Sequence, residues 1–365
     1  MTPGAERSDA EYVWPSDLVQ PGDTQLIYLD LNHWISLAKA ATGHRDGHRY
    51  CGSLEVLRHA RQTGGFVFPL SSTHYMEMAG IADPRQRSDI AAVMEELSGF
   101  NTLVSNSVIL QLEIDAVLLA LGHPQPDPYE PVSLLGRGAG PAFGKRGGLR
   151  ILRSPEGDVT ERVRREWSAG AGAFDAMLGD LERRFERDVL RGPEDNKVAA
   201  LRQRGWDPTV ARKVMEKRAA QEQEQAQRLS ADPRWRRGRL RDVVSARFLA
   251  LEINEMFFEA LSVRGLELEQ VCGNPVATRR FVDSMPSADV YVSLVTAAYR
   301  NPQTQWTAND MFNIDGLSLA AAYCDVVVTE RHACHTLRTA GVPSRASTEV
   351  LPTLAELTTV VQRSE

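Results

Sequence analysis

Four acidic residues carry the chemistry this 365-residue chain could perform: Asp30, Glu77, Asp315 and Glu330. Asp30 ends the apolar run Leu26-Ile27-Tyr28-Leu29, and Glu77 follows the helix-start signal Ser71-Ser72-Thr73. Asp315 opens the run Asp315-Gly-Leu-Ser-Leu-Ala-Ala-Ala, and Glu330 comes directly after Asp325-Val-Val-Val-Thr329. If the apolar runs are parallel strands, all four acids project to the rim at the strands' carboxyl ends, where open α/β sheets bind ligands. Like charges gathered there repel one another, so a hard divalent cation, Mg²⁺ or Mn²⁺, is the expected occupant. One such ion, or a pair roughly 3.5–4 Å apart, activates a bound water, polarises a phosphoryl oxygen and stabilises a leaving oxygen. The chemistry is then hydrolysis of a phosphodiester bond without a covalent intermediate. Taken alone, each acid is better read as a helix cap or a solvated side chain. Together their placement reverses that balance. Asp325 begins its strand and points to the opposite edge.

The elements that would position these acids alternate along the chain. Strand 26–29 leads to helices at about 33–42 and 52–62, and a second apolar run, Phe66–Leu70, precedes the helix that carries His74 and Glu77. Asp83-Pro84 opens a further helix through about Leu97, and Thr102–Ser105 is a third strand. This alternation predicts an α/β fold with a parallel sheet and helices on both faces. From residue 123 the pattern changes. A glycine-rich loop spans Gly136–Gly148, and apolar residues at helical spacing predict helices near 159–190, 208–230, 240–263 and 286–299. After Pro302 the first pattern returns, with a helix from Asp315, a strand at 325–329, a helix near 332–340 and a strand around 348–351. The chain therefore divides into an N-terminal extension at 1–24, an α/β part at 25–122, a helical insertion at 123–300 and a second α/β part at 301–365, with order starting near Gln25.

A formal net charge of −6 with 42% apolar and 25% charged residues fits a soluble globular chain whose nucleic-acid-binding surface, if present, is local. The best local candidate is Arg234-Trp235-Arg236-Arg237 with Arg239, where guanidinium forks could pair phosphates and an indole could stack an unpaired base. A solvated charged surface explains the same run equally well. Cys51, Cys272, Cys324 and Cys334 form no CxxC pair, which argues against a zinc ribbon or a disulfide framework and fits a reducing cytoplasm. No apolar stretch is long enough to span a membrane, and the first residues lack a secretion signal. Residues 139–146 fail as a phosphate-binding P-loop, with Ala139 for the first glycine and Arg146 for the serine or threonine. His332, Cys334 and His335 match no zinc spacing, and His74 reads first as a packed histidine.

The run Tyr28-Leu-Asp-Leu-Asn-His-Trp-Ile-Ser-Leu-Ala-Lys39 resembles the first motif of PIN-like nuclease domains. Ser71-Ser-Thr-His-Tyr-Met-Glu77 is similar to the second, and Asp315 through Glu330 resembles the third and fourth. The resemblance covers roughly residues 25–120 and 300–355. It implies a three-layer α/β/α PIN-like fold interrupted by the insertion, and a Mg²⁺- or Mn²⁺-dependent endoribonuclease of the toxin or defence kind. Its products would carry a 5′-phosphate and a 3′-hydroxyl. The partners implied are RNA, single-stranded or tRNA-like, then single-stranded DNA, and a neutralising protein or a second copy. Asp30, Glu77 and Asp315 match the family's first three acids, and Glu330 stands where aspartate is commoner. Asn32 would orient Asp30 or bond near the metal, and Asp310 would be an additional acid or a helix cap. Two other readings remain. A haloacid-dehalogenase-type phosphatase would want an aspartate where Asn32 stands, and a silent PIN-like module would bind RNA or protein without cutting.

Overall fold

The computed structural model describes residues 11–126, 130–145, 147–236 and 238–364. The strands that frame the site are β1 (Gln25–Leu29), β2 (Phe66–Val67), β3 (Asn101–Leu103), β4 (Leu135–Arg137), β5 (Val326–Val328) and β6 (Glu349–Leu351). Four of them form a parallel sheet in the order β6-β5-β1-β2. Chain-end strand β5 thus lies directly against β1, with Tyr28 opposite Val327 and Leu29 opposite Val328. Beyond β2, a parallel bridge between Leu70 and Thr102 leads to β3, which pairs antiparallel with β4.

Strand alternation buries both faces. Leu26, Tyr28 and Val327 join one apolar cluster, while Ile27, Leu29, Val326 and Val328 join another. Helices supply the opposing residues: α1 (Leu31–Ala41), α2 (Cys51–Thr63) and α4 (Pro84–Ser98) fill the second cluster with Trp34, Leu57 and Met94. Helix α3 (Ser72–Gly80) follows β2, and α5 (Asn106–Ala120) follows β3. The short strands read as continuous apolar runs because neither face meets water.

The central segment is dominated by helices, among them α6 (Ala171–Arg191), α7 (Val210–Ala231), α8 (Leu240–Leu251), α9 (Pro275–Ser284) and α10 (Pro286–Arg300). It shares one core with the sheet: Phe248, Phe281 and Val292 lie in the same cluster as Leu26 and Tyr28. The last helices of interest are α11 (Ala308–Tyr323) and α12 (Arg331–Thr339).

Buried polar groups pin these parts together. Arg241 of α8 donates to Asp283 of α9 at 2.6 Å, to Ser293 at 3.1 Å and to Asp289 of α10. Asp289 also accepts from Tyr12 at 2.6 Å and from Arg345, so residues near both chain ends close on the central helices. Glu113 of α5 accepts from the backbone N–H of Ser287 at 2.8 Å, from its hydroxyl at 2.7 Å and from Tyr323 at 2.6 Å. A carboxylate from another helix therefore caps the start of α10.

Several expectations need correction. Part of the expected extension docks on the body: Tyr12, Pro15 and Leu18 are buried, and Leu18–Val19 pairs with Val132–Ser133. Residues 1–10 lie outside the described part. The glycine-rich loop contains β4 and a short helix, Ala139–Ala142. The helix expected at 159–190 breaks after Glu166, where Trp167 turns extended, and resumes at Ala171 behind Gly170 with its φ of 88°; the one at 240–263 breaks at Ile253. Helix α9 was signalled by Asn274-Pro275, because the Asn274 side chain accepts from the N–H groups of Val276 and Ala277 at 3.0 Å. Asp315 does not open its helix. Thr307 caps α11, which places Asp315 about two turns in.

Candidate active site

Asp30 sits where β1 meets α1 and serves first as the cap of that helix. One carboxylate oxygen accepts from the N–H of Asn32 at 3.2 Å, and the other accepts from the hydroxyl of Thr329 at 3.1 Å. Thr329 follows β5, so both strand ends hold the same side chain. It is 6% exposed, and burial raises its pKa against those donors.

His74 sets the distance to the next acid. Its Nε2 meets the carbonyl of Leu29 at 2.8 Å, and its Nδ1 accepts from the N–H of Ser71 at 3.0 Å, closing the capping box of α3. The ring is fully buried, and burial lowers its pKa to about 4, so it is neutral and donates from Nε2. The expected packed histidine is thus a strut between the residue before Asp30 and the helix that bears Glu77.

One turn further along α3, Glu77 faces the same corner. Burial, and after it the charge of Asp30, pushes its carboxyl up to about 8. Among the described residues no hydrogen-bond donor or cation pairs with it. On the open side, Asn32 donates to Glu330 at 2.6 Å, and Glu330 is exposed at the start of α12. His33 lies between the Thr329 backbone and Glu330, with its pKa lowered mainly by burial and its buried Nε2 unpartnered. Asn32 and Glu330 thus flank Asp30 at the carboxyl ends of β1 and β5, and Glu77 approaches Asp30 from α3.

Asp315 departs from the expected convergence. Helix α11 comes close to the corner at the next residue: a Cβ on Gly316 would stand 2.7 Å from the Tyr28 hydroxyl and 2.9 Å from that of Thr73. The Asp315 carboxylate, however, is taken by Arg218 of α7 in a two-pronged ion pair of 2.5 and 3.1 Å, and Arg218 reaches Glu252 at 3.2 Å. Among the described residues no three His, Cys, Asp or Glu side chains are grouped to hold one metal ion. Of the four acids expected to hold one or two ions, Asp315 is the one whose carboxylate is engaged by an arginine instead. Asp310 resolves as a cap partner, its carboxylate accepting from the Thr307 N–H at 2.7 Å and hydroxyl at 2.6 Å.

The donor set can still be tested against a cation. Mg²⁺ keeps several waters and commonly takes only one or two carboxylates, the rest of its shell coming from substrate phosphates. Asp30 and Glu77, two hard donors that no Arg or Lys among the described residues pairs, fit that demand, while Asp315 fits it only once Arg218 lets go.

The expected basic grip is weaker than its sequence. Arg234 is folded onto Asp232 at 2.6 Å, and Arg239 lies 6.0 Å from the Trp235 ring and 3.7 Å from Asp242. Trp235 is 42% exposed and open to stacking, whereas Arg237 and the Arg236 side chain lie outside the described part. Asp325 accepts from the N–H of Leu26 at 2.7 Å on the far edge of the sheet, as its place at the strand start requires. Cys334 is buried against the Val350 carbonyl, away from any histidine pairing. Glu252, Thr329 and His33 carried no signal of their own in the sequence. Arg218 was visible only as one cation in a charged run, with nothing marking its partner.

Among the described residues no helix is long and apolar enough to cross a membrane. No family model, curated protein or solved structure matches the chain.

Proposed function

We propose that this protein is a divalent-metal-dependent nuclease with a PIN-like α/β/α body, and that RNA is its substrate. The observation that carries the reading is the Asp30–Glu77 pair: two acids from separate elements, brought together at the carboxyl edge of adjacent parallel strands, with no Arg or Lys among the described residues pairing either. Without a cation, Glu77 relieves the repulsion by holding its proton up to about pH 8, whereas a divalent ion would displace that proton and neutralise both carboxylates. Apolar clusters on both sheet faces and the placement of β5 beside β1 support the PIN-like architecture.

Bound there, the ion would supply an activated water and stabilise the leaving oxygen. The chain's own groups do the positioning. Thr329 and the Asn32 N–H fix both oxygens of Asp30, His74 fixes the spacing to α3, and Asn32 holds Glu330 at the exposed lip where a phosphate would arrive. Trp235 with Arg239 offers a separate stacking surface for an unpaired base.

A second reading, a PIN-like module that binds RNA or protein without cutting, is favoured by one observation: Asp315 is neutralised by Arg218. The phosphatase reading loses support, because Asn32 occupies the position of its second aspartate and is committed to Glu330. Purified protein incubated with mixed RNA and single-stranded DNA, in Mn²⁺ or in EDTA, decides between them. The nuclease reading expects Mn²⁺-dependent RNA fragments that Asp30→Asn abolishes. RNA retention without cleavage supports the silent module, and turnover of para-nitrophenyl phosphate alone supports the phosphatase.

A further inference from the structure

Helix α7 of the insertion packs against both α3, which bears Glu77, and α11, which bears Asp315. From it Arg218 reaches into a cavity of about 130 Å³ beside Asn106, Ser287, Tyr291 and Ser318. There its guanidinium is divided between Asp315 and Glu252. The Asp315 backbone is held independently of that ion pair, its carbonyl accepting from the Asn106 side chain at 2.9 Å. Only the carboxylate is turned towards the insertion.

We propose that Arg218 is an exchangeable counter-ion: it closes Asp315 in the free protein and trades that carboxylate for a phosphate of the substrate, leaving Asp315 free to serve the cation site. The inference rests on the nuclease reading above and assigns to the insertion the coupling of substrate arrival to completion of the site. Phosphate is a suitable competitor because the guanidinium fork pairs phosphate and carboxylate oxygens by the same two-pronged geometry. The two guanidinium N–H groups that now hold Asp315 line this cavity and would be the donors that receive the phosphate oxygens. Release also costs less than breaking an isolated buried pair, since Glu252 continues to neutralise Arg218 during the exchange.

The test separates this inference from the reading beneath it. Mn²⁺ binding is counted by electron paramagnetic resonance of the free ion, for the wild type, Arg218→Met, and Arg218→Met combined with Asp315→Asn. The expected result is Mn²⁺ held about tenfold more tightly by Arg218→Met than by the wild type, with the gain lost in the double variant. In EDTA, binding of a short 2′-O-methyl RNA should strengthen in Asp315→Asn, where Arg218 is released, and weaken in Arg218→Met. A purely structural ion pair predicts no gain of RNA affinity in Asp315→Asn. Should Arg218→Met fail to fold, Arg218→Lys keeps the charge without the fork and should give an intermediate gain in Mn²⁺ affinity. Wild-type-like Mn²⁺ and RNA binding in all single variants overturns the exchange while leaving the nuclease reading intact. Absence of Mn²⁺ binding in the wild type removes the reading itself.

Discussion

Replacing Glu113 by glutamine tests whether the insertion is locked to the α/β body by a buried carboxyl group. Glu113 is fully buried, and burial pushes its pKa from 4.5 to about 7, against the pull of Tyr323 and of the Ser287 N–H and hydroxyl. The native state therefore holds this proton to higher pH than the unfolded chain does. Between about pH 4.5 and 7 the native form binds more protons, so the contribution to stability is complete below 4.5 and is lost as pH rises through 7. At about 1.4 kcal/mol per pKa unit, the part lost between about pH 5 and pH 8 is roughly 2–3 kcal/mol. Glutamine keeps the shape and an acceptor oxygen but does not titrate. Urea unfolding followed by tryptophan fluorescence at both pH values should show Glu113→Gln gaining that amount on the wild type as pH rises. A difference between the two proteins that does not change with pH would refute the assignment of Glu113 as a buried, protonatable cap of α10.

Three further outcomes are expected. Arg241→Met leaves Asp283 and the fully buried Asp289 short of a partner and should cost about 3–5 kcal/mol in chemical unfolding; a loss under about 1 kcal/mol would show that Arg279 and Arg345 already suffice. Gly316→Ala places a methyl group 2.7 Å from the Tyr28 hydroxyl and should lower stability by about 1–3 kcal/mol, an effect read as a drop in melting temperature and contradicted by an unchanged one. Glu77→Gln removes the charge that Asp30 opposes, so in EDTA its melting temperature should exceed that of the wild type, more at pH 9 than at pH 6 because the native carboxyl titrates near 8. An equal or lower midpoint at pH 9 would place Glu77 in a solvated setting.

What the sequence revealed follows from the range of the interactions involved. The apolar runs at Leu26–Leu29 and Val326–Val328 were legible because strands buried on both faces need unbroken apolar residues, and Asp30 and Glu330 follow them directly. Asp83-Pro84 marked its helix because cap and first-turn preferences are local. The start of α11 was missed for a related reason: Thr307 and Asp310 form the capping box, while the alanine-rich run that drew attention lies in the helix interior. The packing of Tyr12 and Leu18 was illegible, since their partners, Asp289 and Val132, are distant in the chain and the local sequence is polar. Arg218 is the instructive case. Its spacing resembles a solvated helix face, and only the fold shows that this face lies against the helices bearing Glu77 and Asp315.

The claim on which the functional account depends is that Asp30 and Glu77 share a divalent cation. Calorimetric titration of the metal-free protein with Mn²⁺ measures this without reference to any substrate. The account predicts saturable binding by the wild type that disappears in both Asp30→Asn and Glu77→Gln, each of which keeps its fold. No heat of binding in the wild type, or the same binding in all three proteins, would contradict it.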